Sequence, residues 1–103
     1  MLKIRIMEKE LIAITEYCIN YNIEPSFIDS LEESGLIMLT SINQEKFIHI
    51  TQLQEMDRYI HFHYDLQINV EGIDAIMHLL NKVNHMQEEI QQLKRLLHLH
   101  DAK

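Results

Sequence analysis

With 103 residues, 47% of them hydrophobic and 24% charged, the chain is too apolar to be disordered and long enough for one small core, not several. Sixteen acids against nine bases give a formal net charge of -7, which repels nucleic acid and anionic membrane unless the few bases cluster, and makes a cationic partner the better electrostatic match. The single cysteine, Cys18, cannot form an intramolecular disulfide and points to a reducing, cytoplasmic compartment, while the apolar run Leu11, Ile12, Ala13, Ile14 is too short to span a bilayer or form a signal core.

In chain order, Leu2, Ile4 and Ile6 alternate with Lys3, Arg5 and Met7, the period of a short half-buried strand. Thr15 is placed to cap a helix through Glu16, Tyr17, Cys18, Ile19 and Asn20. That helix ends near Asn22, a residue that tolerates the left-handed conformation of a tight turn. Pro25 suits the first turn of a second helix. Ile28 and Leu31 form its inward stripe, Phe27 flanks them, and Gly35 takes the position that stops it. Residues 36–40 read as a strand and 46–50 as its return. The connection over 41–45 has no Asn-Gly signal, which leaves the register open.

Thr51, Gln52, Leu53 and Gln54 fit a capping box, followed by a helix with Leu53, Met56, Ile60 and Tyr64 on one stripe. A break falls around Leu66, Gln67 and Ile68. Asn69 can cap the next helix, whose first turn holds Gly72, about 1 kcal/mol worse than alanine there and explicable by close approach of another backbone. From Val70 to His100 nothing interrupts the helix, which at 1.5 Å per residue is roughly 45 Å long. Leu79, Val83, Met86, Ile90, Leu93 and Leu97 recur with alternating spacings of four and three, a heptad seam. Few cores this small can cover such a helix, so a second copy is the expected partner. Burying each seam residue gains about 1.5–3 kcal/mol, roughly 9–18 gross, against an association cost of roughly 4–15 kcal/mol. The competing reading folds the seam back on the chain's own short helices. The expected organisation is a domain over 1–68 and a dimerisation helix over 69–103.

The first two helices have the spacing of a helix-turn-helix, yet the segment from Thr15 to Gly35 holds five carboxylates, Glu16, Glu24, Asp29, Glu32 and Glu33, and no Lys or Arg. With Ile28 and Leu31 inward, Asp29, Glu32 and Glu33 are expected outward. Asp29 and Glu33, one turn apart, repel each other by about a few tenths of a kcal/mol. Binding to DNA rests on cations at phosphates and on base-reading side chains such as arginine. A helix bringing anions to phosphates does neither. A basic helix is the natural complement, with charge raising the on-rate and making binding salt-sensitive. The plainer alternative is that these acids only solvate an exposed face.

The order helix-turn-helix, two-stranded wing, helix and long coiled-coil helix resembles the MerR-type winged-helix domain. Ile14-Thr15-Glu16-Tyr17-Cys18 stands where that family begins its first helix, with Cys18 as the small core residue. Ile23 and Glu24 occupy the turn, and Gly35-Leu36-Ile37 the passage to the wing. Asp65-Leu66-Gln67-Ile68-Asn69 followed by Glu71-Gly72-Ile73 resembles the junction before the dimerisation region. Within that group the chain is most similar to the chaperone-modulator family CbpM. The similarity rests on Ile14 to Cys18, the pair Ile28 and Leu31, Gly35, the aromatic Phe47, the Asp65-Leu66 helix end and the heptad tail, and it spans residues 11–99. Asn22 replaces the usual turn glycine, and Pro25 and Ser26 stand where acids are expected, which relocates the acidic surface.

The resemblance implies a mainly α, MerR-like winged helix-turn-helix with a small β wing and a long C-terminal coiled-coil helix. It also implies a non-enzymatic inhibitor that binds the J-domain of a CbpA/DnaJ-like co-chaperone and blocks its work with a DnaK-type chaperone. The expected partner face is Glu16, Glu24, Asp29, Glu32 and Glu33, with Tyr21 at its apolar edge. Two competitors remain: a MerR-like DNA-binding transcription regulator, which needs a basic wing and has only Lys46, and an unrelated coiled-coil adaptor.

No cofactor or metal is expected. The seven histidines include His61/His63 and His98/His100, but i, i+2 spacing on a helix points the rings apart and zinc wants about four ligands. His63 and His78 are expected at element edges. Cys18 reads as a small buried filler rather than a nucleophile, and Met56, Met77 and Met86 as ordinary helix contacts.

Overall fold

The computed structural model describes residues 10–101, with the side chains of 100 and 101 left aside. The strand expected over Leu2, Ile4 and Ile6 lies outside the described residues. The elements are β1 (Leu11–Ala13), α1 (Ile14–Tyr21), α2 (Pro25–Glu33), β2 (Leu39–Ile42), β3 (Glu45–His49), a 3-10 turn (Ile50–Gln52), α3 (Leu53–Ile60) prolonged by a π turn (His61–Asp65), and α4 (Val70–Asp101). The chain is mainly α with a small antiparallel sheet, as expected. That sheet has three strands in the order β1-β3-β2. The third arises because Leu11, Ile12 and Ala13 pair with His49, Ile48 and Phe47. Three residues are too few to show an alternation, so this strand left no period to read.

β1 runs straight into α1, and this overturns the expected Thr15 cap. The cap position is Ala13 in an extended conformation, without a side-chain bond. Thr15 lies inside the first turn, its hydroxyl 3.5 Å from Glu45 Oε1 of β3. At the other end Asn22 adopts the left-handed conformation (φ 55°) and its N–H donates to the Cys18 carbonyl, as expected of a short polar residue. Pro25 opens α2. Gly35 closes it at φ +77°. The Gly35 N–H donates to Glu32 O and the Leu36 N–H to Leu31 O, both at 3.0 Å, the paired bonds of a Schellman end. Ile28 and Leu31 are fully buried. Phe27 is buried too, not flanking, because the ring of His63 stacks on it at 4.2 Å and Tyr64 meets it edge-on.

The hairpin is tighter than expected. Asn43 and Gln44 (φ 52° and 68°) form a two-residue turn with both centres left-handed, the geometry Asn-Gly usually supplies. The register follows, with Ile42 opposite Glu45 and Leu39 opposite Ile48. The capping box does not form. The ring nitrogen Nδ1 of His49 accepts from the Thr51 N–H at 3.1 Å. Gln52, inside the expected box, brackets Met38, its Oε1 accepting from the Met38 N–H at 2.9 Å and its Nε2 donating to the Met38 carbonyl at 2.8 Å. This side-chain amide takes the place of a strand partner where β2 has not yet begun.

On α3 the buried residues are Met56 and Tyr59, whose hydroxyl donates to the Leu36 carbonyl at 3.1 Å. Leu53 and Ile60 are half-buried, and Tyr64 is exposed rather than on the same stripe. The π turn changes the residues per turn and so breaks the phase of the stripe. The break before α4 comes at Gln67 (φ 57°). Asn69 caps as expected, Oδ1 accepting from the Gly72 N–H at 2.8 Å. What crowds Gly72 is not another backbone: a Cβ there would lie 2.7 Å from Ile68 Cγ2 and 3.1 Å from Asn69 Oδ1. The chain forms two compact units that divide between Ile73 and Asp74. The core of the first is centred on Ile28, Leu31, Ile48, Met56 and Ile73.

Candidate functional site

The short helices present the carboxylates unequally. Glu16 on α1, Glu24 before α2, and Asp29 and Glu33 on α2 are exposed. Glu32 departs from expectation. It is half-buried and ion-paired with Lys46 of β3, Nζ to Oε1 at 2.8 Å. This bond and the Glu32 charge push the Lys46 pKa up, with Asp29 adding to the shift. The only cation of the hairpin is thus engaged by the helix-turn-helix itself. Glu45, the residue before it on β3 and so directed to the other face of the strand, meets Thr15 of α1 and brings a carboxylate of the hairpin next to the first helix. Nothing local in the sequence ties residues 45 and 46 to residues 15 and 32; only the strand register does.

Glu24 stands apart from this group. It lines a shallow depression with Ser26, Phe27, Ser30, His63 and Val70, and its N–H donates to the Tyr64 hydroxyl oxygen at 2.9 Å. Tyr21 is 63% exposed and rests on Tyr17, ring centroids 4.8 Å apart. Ile19, which sequence reading left out of the site, is 79% exposed on α1.

Cys18 is buried. Burial first, and Asp29 second, push its thiol pKa up, the opposite of nucleophile activation. Burial likewise pushes Tyr17 up to about 12, with Asp57 adding to it. The histidines have separate partners. His61 Nδ1 meets Asp65 at 2.7 Å. His63 Nδ1 meets the Ile68 carbonyl at 3.0 Å, inside the π turn rather than at an element edge. His78 Nδ1 meets the Asp74 carbonyl at 2.9 Å, within α4. Among the described residues no three His, Cys, Asp or Glu side chains converge on a point that could hold a metal.

Along α4 the seam residues Leu79, Val83, Met86, Ile90, Leu93 and Leu97 are 46–62% exposed. Among the described residues no helix is long and apolar enough to cross a membrane.

Residues 12–95 match the family described as MerR HTH family regulatory protein. No curated protein and no solved structure matches significantly. The matched span takes in the helix-turn-helix, the hairpin, α3 and most of α4, and the chain belongs to the MerR helix-turn-helix regulatory family.

Proposed function

We propose that this protein is a cytoplasmic, non-enzymatic chaperone modulator of the CbpM type. Its acidic helix-turn-helix face binds the J-domain of a CbpA/DnaJ-like co-chaperone and occludes the surface that engages a DnaK-type chaperone. The observation that carries this reading is the charge of the helix that would enter DNA. α2 has Asp29, Glu32 and Glu33 and no base, and Lys46, the one cation of the hairpin, is held by Glu32. Such a surface works against phosphate contact and favours a basic polypeptide. Glu16, Asp29 and Glu33 carry the attraction, and the exposed Tyr21 offers an apolar edge. The seam from Leu79 to Leu97 joins two copies.

Calorimetry with a purified CbpA-type J-domain at two salt concentrations tests this. Binding weakens as salt rises, and Asp29→Lys with Glu33→Lys abolishes most of it while the circular dichroism spectrum is unchanged. No heat at either salt concentration overturns the proposal.

The family match itself favours a second reading, a DNA-binding transcription regulator. That reading needs salt-sensitive, sequence-selective retention of a duplex in a gel shift. The charge distribution predicts none at physiological ionic strength.

A further inference from the structure

Ile19 is among the most exposed large apolar side chains described, at 79%. It lies one helical turn from Thr15 and Glu16 on the outer face of α1. Thr15 touches Glu45. The Thr15–Glu45 contact brings α1 and β3 to one surface, with an exposed isoleucine beside the carboxylates Glu16 and Glu45. A single exposed aliphatic residue is ordinary on any protein surface. What gives this one meaning is its surroundings. A second copy of this chain would set acids against acids there, and nucleic acid would set phosphates against them.

The geometry points to Ile19 as the apolar anchor for an amphipathic basic helix of the partner, an inference that rests on the function proposed above. Lysine and arginine have the two parts this surface asks for. Their methylene stems cover Ile19, and their charged heads reach past it to Glu16 and Glu45. The acids then act as the polar rim around a small desolvated centre. Glu45 becomes a partner residue contributed by the hairpin, while Glu32, paired with Lys46, does not take part directly.

The test is calorimetry of the full chain against the CbpA-type J-domain with Ile19→Ser, Ile19→Met and Glu45→Gln, each checked for an unchanged circular dichroism spectrum. Ile19→Ser weakens binding about tenfold or more, the scale of a hot-spot truncation, with its salt dependence intact. Ile19→Met, which keeps an aliphatic contact, stays within about threefold of the wild-type chain. Glu45→Gln weakens binding less and flattens the salt dependence. If the wild-type chain binds and Ile19→Ser binds equally well, this inference falls and the proposed function stands. If the wild-type chain does not bind the J-domain, both fall.

Discussion

Ile28, Leu31, Ile48, Met56 and Ile73 of the first unit are fully buried, whereas Leu79, Val83, Met86, Ile90, Leu93 and Leu97 along α4 remain 46–62% exposed. Both sets are periodic and apolar, so composition alone would treat them alike. In the first unit the stripes of α2 and α3 and one face of β3 supply each other's burial, and the unit is held by its own contacts. α4 is a helix of 32 residues whose continuity comes from the absence of breakers, and helical propensity alone gives limited stability. In the dimer proposed above, a second copy covers its apolar face. Substitutions in the two regions should register in different measurements: unfolding free energy in one, self-association in the other.

The largest effect is expected in the first unit. Leu31→Ala removes a fully buried side chain and should cost about 2–5 kcal/mol, read as a lower urea midpoint. A cost below about 1 kcal/mol, typical of an exposed site, would show that Leu31 is not part of a packed core. On α4, Leu93→Lys should leave the urea unfolding of the first unit nearly unchanged and convert a dimer to a monomer in light scattering at micromolar concentration. Each copy loses roughly 1.5–3 kcal/mol of apolar burial, and like charges face each other in the seam. An unmodified chain that is already monomeric at that concentration would erase the proposed contrast.

At the helix ends of the first unit the cost is conformational. Gly35 sits at φ +77°, and a Cβ built there finds nothing within 4 Å. The whole penalty of Gly35→Ala is therefore backbone strain, about 1–2 kcal/mol, with no change in oligomeric state. Asparagine, more tolerant of this conformation, should cost less. Equal stability of all three chains in urea would remove the Schellman end from the account of α2.

What the sequence disclosed follows the same division between local and distant causes. Asn22, Pro25, Gly35 and Asn69 act within a turn of themselves, and their roles were readable residue by residue. The heptad seam was readable as a pattern, with a second copy as its expected partner. The capping box at Thr51 failed because His49 takes the cap, its Nδ1 accepting from the Thr51 N–H and lying 2.8 Å from the Thr51 hydroxyl; the hold of Gln52 on Met38, fourteen positions away, left no local signal, and Tyr64 left its stripe because the π turn changes the phase. At the candidate site, Glu16, Asp29 and Glu33 emerged as exposed acids, but the loss of Glu32 to Lys46 and the arrival of Glu45 depend on β3 folding against both helices. An acidic count along one segment cannot see a neutralising lysine on another.

The smallest effect at neutral pH belongs to Tyr17, and it sharpens the contrast by titration. Burial raises its pKa from 10.0 to about 12. The folded unit therefore keeps a proton that the unfolded chain releases. Stability from this group is fully present below pH 10.0 and falls as the pH climbs toward about 12, because the unfolded state then binds fewer protons than the folded one. Tyr17→Phe keeps the ring and removes the ionisation, so its urea midpoint should fall less between those pH values than that of the unmodified chain. The shift arises inside the first unit, with Asp57 and Tyr21 as the charges that reinforce it. The difference between the two chains should therefore persist in a Leu93→Lys background. If it vanished there, the titration would be reporting on association through α4, and the first unit could no longer be treated as folded by its own contacts.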